Sequence, residues 1–463
     1  MKGGCVVGFD SIFFLSCFLP LSLALYYGLP GLNAKNILLL VFSLLFYAFG
    51  SIQAILLLFA AWLFNYLLGL LLIKKAAKPV VAIGVSVNLL YLFAFKYLHF
   101  VLGDIFGLPT QLGLAAPLGM SFFLFKCISY LVDVYRNPSE GTKNPVTLLQ
   151  YLSFFPQITA GPISRFGQFA GQLTTRTVNL ENTTLGLRRF LVGLGKKALL
   201  CGSLAPLVDG IFAVNAHHDI RLAWLGALGY LLQIYLDFSG YSDMAIGLGQ
   251  MLGFSTPETF RYPYIADSVG DFWRRWHLSL STWFKDYLYI PLGGNRRGKL
   301  RSGLNKAIVF TLCGLWHGAN WTYLLWGFWH GLFSALETLG FSPKKSGKLL
   351  GRIYTLFVVG IGFVMFRATS LSQGFAIISA MFTGFSFSHE ATVLLHKLCT
   401  PATVTALVLG AAVCMPITPW LQTRKVWQKW GTPVSLALSL LLFLLCLLQL
   451  AAGGFAPFIY AQF

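Results

Sequence analysis

Residues 271–295, Asp-Phe-Trp-Arg-Arg-Trp-His-Leu-Ser-Leu-Ser-Thr-Trp-Phe-Lys-Asp-Tyr-Leu-Tyr-Ile-Pro-Leu-Gly-Gly-Asn, and residues 315–321, Leu-Trp-His-Gly-Ala-Asn-Trp, contain the two histidines around which the rest of the chain is organised. His277 and His317 stand 40 residues apart, on either side of an arginine-rich stretch, in otherwise apolar and aromatic chain. A titratable imidazole is costly at membrane depth, so these two positions ask for a chemical reason.

The composition around them sets the fold class. Of 463 residues 56% are hydrophobic, 16% aromatic and only 11% charged, far from the balance of a water-soluble domain. Apolar runs of about 20 residues recur, each long enough as a helix to cross a hydrocarbon core of roughly 30 Å. Backbone groups in lipid must be satisfied within their own segment, and the runs lack the short alternating pattern of a barrel. These features predict an all-α polytopic membrane protein with about eleven hydrophobic segments, some of them re-entrant. The net charge of +19, from 34 Lys and Arg against 15 Asp and Glu, would suggest nucleic acid in a soluble protein. Here the basic residues lie in gaps between apolar runs, so the positive-inside rule explains most of the excess and no nucleic-acid role is implied. Eight cysteines (5, 17, 127, 201, 313, 399, 414 and 446) form no C-x-x-C pair or metal-ligand spacing and read as small buried hydrophobes. The run from Phe9 to Leu29 is too long for a signal-peptide core and lacks a cleavage pattern, which makes it the first expected membrane helix.

A polar gap at 33–36 leads into an apolar tract through Ile73, divisible at Gly50 and Ser51. Lys74, Lys75 and Lys78 mark a cytoplasmic loop, and a further span runs from about Pro79 to Val101. Lys126 and Asp133, seven residues apart, share a helix face and read as a buried charge couple or as the lining of a polar tunnel. Residues 154–165 (Phe-Phe-Pro-Gln-Ile-Thr-Ala-Gly-Pro-Ile-Ser-Arg), which include Gln157, break an apolar run with prolines and glycine. Such a break is tolerated only where protein or a wet cavity covers the backbone, so a re-entrant segment is expected there. Arg188, Arg189, Lys196 and Lys197 flank the next apolar region on the cytoplasmic side. The loop His217-His218-Asp219 lacks a further ligand at useful spacing, and no metal site is expected. Asp237 and Asp243 at membrane depth can do acid-base work or, the favoured reading, accept hydrogen bonds that fix the core.

Between Arg261 and Lys306 nine Lys or Arg face three Asp, an excess of six that places this stretch on the cytoplasmic side. Trp273, Trp276, Trp283, Tyr287 and Tyr289 fit one amphipathic helix at the interface. Residues 291–298 form a flexible basic loop without the pattern of a nucleotide-binding P-loop. Arg274, Arg275, Arg296 and Arg297 would attract an anionic donor, although membrane topology explains them equally well. A single helix beyond Ala307 is expected to carry His317, Trp321, Trp326 and His330, the last nearly four turns from His317. Two later basic gaps (Lys344, Lys345, Lys348, Arg352; Arg424, Lys425, Lys429) separate further apolar segments, with neither a solenoid repeat nor a soluble domain.

Residues 271–295 and 315–321, with 154–163 and Asp-Phe-Ser-Gly-Tyr-Ser-Asp (237–243), resemble the membrane-bound O-acyltransferase (MBOAT) family, in its bacterial branch of alginate and peptidoglycan O-acetylation. The resemblance implies one integral membrane domain over 1–463: a signature core at about 117–335, helices at 336–455 and an aromatic tail at 456–463. It further implies a ring of tilted transmembrane and re-entrant helices around a tunnel, in a multi-pass protein of the bacterial cytoplasmic (inner) membrane. By resemblance His317 is the catalytic histidine and His277 the second motif histidine, while Asn320, Gln157, Asp237 and Asp243 are tunnel or structural polar residues. Esterifying a sugar hydroxyl from a thioester needs a base near neutral pKa, which an imidazole supplies. The implied donor is acetyl-CoA or another acyl thioester, with no bound cofactor and no metal. The implied partners are the lipid bilayer, a polysaccharide acceptor and an extracytoplasmic SGNH-type acetyltransferase. The ending Phe-Ile-Tyr-Ala-Gln-Phe is similar to the branch's Phe-Ile-Tyr-Phe-Gln-Phe, Ala461 departing from it. Tyr460 there can act as an acyl relay or as an interfacial anchor. Competing readings are D-alanyl transfer to teichoic acid and a polysaccharide or lipid-linked glycan transporter. Residues 291–295 favour the acetylating branch, and only one set of interrupted segments is present where transporters often show two.

Overall fold

The computed structural model describes residues 8–108, 116–213, 219–453 and 459, all helix, turn or irregular chain with no strand among them. Contacts gather the chain into two compact units, one of Met1–Phe190 with Tyr241–Glu258 and Tyr460–Phe463, the other of Leu191–Gly240 with Thr259–Ile459.

The first unit opens with α1 (Phe14–Gly28), a short apolar helix rather than the full membrane span expected from hydropathy. Pro30 forces the preceding residue out of the helical region, and Leu29 is extended with ψ 137°, which ends the helix early. α2 (Gly31–Ala48) absorbs the polar gap at 33–36 into its first two turns, and α3 (Ile52–Lys74) follows the break at Gly50 and Ser51. α4 (Lys78–Lys96) pairs with α3 through reciprocal amide bonds of Asn65 and Asn88, 3.0 and 2.8 Å, which satisfy two buried polar side chains at once. Phe14, Phe18, Phe42, Phe46 and Phe155 pack ring against ring beneath these helices. α5 (Met120–Arg136) carries Lys126, whose Nζ donates to the Tyr151 carbonyl at 2.9 Å and to Gln157 Oε1 at 3.0 Å. Asp133 instead meets Arg136 at 3.8 Å, so the expected Lys126–Asp133 couple does not form. α6 (Pro145–Ser153) leads into the proline-broken stretch, where a single helical turn at Phe155–Ile158 gives way to irregular backbone. Every residue from 148 to 164 is buried, so protein covers the broken backbone, as the physics of such a break requires. α7 (Phe166–Thr175) completes this group.

The chain then enters α8 (Leu180–Ala213) and α9 (Ile220–Met251). Arg189 and Lys197 lie inside α8 rather than in a loop flanking it: Arg189 meets Asp243 at 3.0 Å and Glu258 at 2.6 Å, and Lys197 meets Asp237 at 2.5 Å. His217 and His218 lie outside the described residues.

In the second unit the predicted interfacial helix is two short ones, α10 (Val269–Trp273) and α11 (Leu278–Phe284). The predicted single helix beyond Ala307 is likewise two, α12 (Gly298–His317) and α13 (Trp321–Leu339). After them come α14 (Lys348–Arg367), α15 (Leu371–Thr383), α16 (His389–Leu398), α17 (Pro401–Val413) and α18 (Lys425–Ala451). Among the described residues seven helices are long and apolar enough to cross a bilayer, or eight if α16 and α17, bent by 72°, form one span. The sequence suggested about eleven hydrophobic segments, some of them re-entrant rather than spanning. The excess comes from short helices such as α1 and α15, whose apolar runs stop before a bilayer's thickness.

Candidate functional site

α12 and α13 form a tight hairpin because small residues face one another. A Cβ at Gly314 would lie 2.2 Å from the Tyr323 carbonyl, and one at Gly327 would lie 2.4 Å from the Phe310 carbonyl. The two backbones therefore approach to a distance that no larger residue allows. Gly318 is extended and ends α12, and Asn320 caps α13 by accepting from the Thr322 N–H at 3.0 Å. His317 is thereby fixed as the last residue of α12. Its ring sits edge-on to Trp326 and Phe366, with centroids 5.1 and 5.2 Å away.

His277 is positioned by backbone geometry. It occupies the left-handed region, φ 44° and ψ 55°, which costs an L residue about 1–2 kcal/mol. Long-range main-chain bonds hold it there: Leu278 N–H to the Thr259 carbonyl and Arg261 N–H to the Arg275 carbonyl, both 2.9 Å. On one side Trp276, 1% exposed, packs into Tyr264, Phe272 and Phe363. The sharp turn that splits α10 from α11 therefore lets Trp276 enter the core while its neighbour faces elsewhere. The His277 ring meets Phe238 edge-on at 4.6 Å, and neither ring nitrogen finds a hydrogen-bond partner among the described residues. Burial pushes its pKa below the ordinary imidazole value, so the ring is neutral near pH 7.

Both histidines line one cavity of about 240 Å³. Trp273, Phe310 and Cys313 supply apolar wall; Arg274, Lys285 and Lys306 supply positive charge; among the described residues none that lines it is Asp or Glu. Lys306 is braced by donating to Thr338 Oγ1 at 2.7 Å, and Arg274 is largely exposed. A neutral imidazole at 277, a second imidazole at 317, a local positive field and an apolar wall together suit proton removal from a hydroxyl next to an anionic reactant.

The remaining predicted residues sit elsewhere. Arg275 turns to Asp271, 2.8 Å away. Arg296 and Arg297 are exposed on the turn after α11 and do not line the cavity. That turn is pinned rather than loose, since Asn305 Nδ2 donates to the Leu292 and Gly294 carbonyls at 3.4 and 3.1 Å. Asn320 serves as the cap, Gln157 accepts from Lys126 and Ser164, and Asp243 holds Arg189. Asp237 accepts from Lys197 and from the Ile459 N–H. Tyr460 lies outside the described residues. His330 is on α13, fully buried against Trp273 and Trp326, and does not line the cavity. Among the described residues no His, Cys, Asp and Glu cluster could hold a metal ion. Sequence reasoning missed Lys306 and Cys313 as lining residues, having counted the first as topology and the second as core. The signal was present: Lys306, Phe310, Cys313 and His317 recur every three or four positions, which is one face of α12.

The sequence profile of the membrane-bound O-acyltransferase family matches residues 44–371. The chain is 38% identical to a probable alginate O-acetylase of Pseudomonas putida, over 98% of this chain and all of that one. It is 34% identical to the peptidoglycan O-acetyltransferase of Helicobacter pylori, over 85% of this chain and 84% of the other. Identity falls to 27% with the teichoic acid D-alanyltransferase of Bacillus subtilis, over 54% of this chain and 68% of that protein.

Proposed function

The chain belongs to the membrane-bound O-acyltransferase family, and from that premise we propose that it moves acetyl groups from a cytoplasmic thioester across the membrane for O-acetylation of an exported polysaccharide or cell-wall glycan. It is an O-acyltransferase and a multi-pass membrane protein; the acetyl group, the glycan and the inner bacterial membrane are the proposed particulars. The observation that carries the proposal is the cavity in which His277 and His317 meet three cationic side chains and, among the described residues, no carboxylate.

In this reading an acyl thioester such as acetyl-CoA enters with its anionic part toward Arg274, Lys285 and Lys306. His317 takes the proton of the accepting hydroxyl as its oxygen attacks the thioester carbonyl. The carbon–sulfur bond breaks, the ester forms, and the thiolate leaves with the proton returned from the imidazolium. His277, neutral, keeps one N–H with which to orient the carbonyl or steady the developing oxyanion. Tyr460 is the proposed acyl relay, passing the group to an extracytoplasmic SGNH-type acetyltransferase that completes transfer to the glycan. The high coverage of the O-acetylating relatives supports acetyl over D-alanyl transfer.

The test is donor turnover by the purified protein in proteoliposomes, supplied with acetyl-labelled CoA and a soluble hydroxyl acceptor. Wild type should release CoA and form labelled ester, and His317→Ala should do neither while inserting normally. Turnover with a D-alanyl carrier protein alone would replace the acetyl reading.

A further inference from the structure

We propose that Glu337 is a positioning residue that fastens the segment leading to His277 onto the hairpin that carries His317. Glu337 stands half-buried in the last turn of α13, and both of its carboxylate oxygens accept from the main chain of α10. Oε1 accepts from the Val269 N–H at 2.6 Å and Oε2 from the Gly270 N–H at 2.8 Å. α10 has only five residues, so its first N–H groups, which no helix satisfies internally, are most of its donors. The third of them, Asp271 N–H, turns to Ser268 Oγ at 3.1 Å, while the first two are given to a residue 68 and 67 positions on. Bonds to an ionised carboxylate are stronger than neutral ones and also suit the positive end of a helix. A Cβ at Gly270 would lie 3.2 Å from Oε2, so the small residue lets the carboxylate come close.

The next residue, Thr338, accepts from Lys306 Nζ of α12 at 2.7 Å. Adjacent residues of α13 thus hold both elements that reach the cavity, α10 by its backbone and α12 by one of the cavity's cations. α10 supplies Trp273 to the cavity wall and runs directly into the left-handed turn at His277. Farther up α13, Trp326 meets Trp273 edge-on at 5.5 Å and the His317 ring at 5.1 Å. Aromatic contacts of this kind let one ring slide on another, whereas two hydrogen bonds to one planar carboxylate fix direction and register. Lys306 and Lys344 lie near enough to Glu337 to balance its charge. Glu337 itself is not among the described residues that line the cavity, so it acts on the reaction through the wall it holds.

The turnover consequence rests on the acyltransfer reading above; the clamp itself does not. Glu337→Ala removes both acceptors, Glu337→Gln keeps one, and Ser268→Ala removes the local cap of α10 while leaving its tie to α13. Amide hydrogen exchange in proteoliposomes, read by mass spectrometry over peptides covering 266–276, reports on the Val269 and Gly270 N–H groups beside kcat and KM for donor turnover. Glu337→Ala should speed their exchange at least about tenfold while peptides from α12 and α13 stay as in wild type. It should also lower kcat by about 10²-fold, the scale of a misplacement of about 1 Å, with KM moving less than about threefold. Glu337→Gln should fall between, and Ser268→Ala should keep kcat within about twofold. Exchange at 269 and 270 no faster in Glu337→Ala than in wild type would overturn the clamp. If Glu337→Ala exchanges throughout, as an unfolded chain does, Glu337→Gln decides by the same criterion. A kcat in Ser268→Ala as low as in Glu337→Ala would overturn the tie to α13 as the cause. Faster exchange with wild-type kcat would leave the clamp and overturn its link to turnover. A wild type without transfer would remove the acyltransfer reading while exchange still decided the clamp.

Discussion

Lys126 in the first unit and His277 in the second are both buried polar residues among aromatic side chains, and they are treated in opposite ways. Lys126 has its ammonium hydrogen-bonded by Tyr151 and Gln157, and Gln157 is in turn held by Ser164. His277 is held in place by its backbone, while its ring nitrogens find no partner among the described residues and it lines a cavity. The first arrangement stabilises; the second, in the proposed acyl-transfer reading, keeps hydrogen-bonding capacity for a reactant. His330 shows that unpartnered nitrogens alone do not make a site, because it has them too but lies behind Trp273 and Trp326. The cavity is what separates the two histidines.

The contrast breaks most easily at His317. His317→Ala should lower acyl transfer by about 10²–10⁴-fold, the range of a lost general base, at normal membrane content. Next is His277→Asn, which tolerates the left-handed backbone but changes the ring; loss of about 10²-fold in turnover is expected if the ring orients the reacting carbonyl. A variant as active as wild type would make His277 a packing residue like Lys126. Lys126→Met should do the reverse, costing about 1–3 kcal/mol in thermal stability through unpaired acceptors while turnover per folded molecule stays within about twofold. The pH dependence of stability gives a smaller effect. His277 is neutral when folded, its pKa lowered by burial, whereas unfolded imidazole titrates near about 6.5. Its contribution is therefore complete above that pH and is lost as pH falls below it, and the decline should be shallower in His277→Asn. Smallest of all, Arg296→Ala and Arg297→Ala, exposed and off the cavity, should change stability by less than about 0.5 kcal/mol.

The fold class was legible because apolar length and charge placement are local properties: the break at Gly50 and Ser51 and the buried proline stretch at 154–164 fall where the residues predict. What hydropathy could not convey was geometry set by distant partners. The turn at His277 depends on main-chain bonds from 259 and 261, and Trp276 reads as interfacial until those bonds turn it inward. The division of α12 from α13 rests on Gly318 and the Asn320 cap, both visible in the sequence but hidden within an apolar run. Lys126 found Gln157, 31 residues on, instead of Asp133 on its own helix face, because the buried turn at Phe155–Ile158 brings the amide oxygen within 3.0 Å of its Nζ. Within the site, the two histidines were readable as residue types at fixed positions. The cavity joining them, and the lysines that charge it, needed the fold.

The central claim, that the His277–His317 cavity performs acyl transfer to an envelope glycan, is met most directly by ester-linked acetate released by mild base from exopolysaccharide and cell wall. Cells carrying the wild-type chain should yield it, and cells carrying His317→Ala or a deletion should not. Equal acetate from all three would contradict the claim.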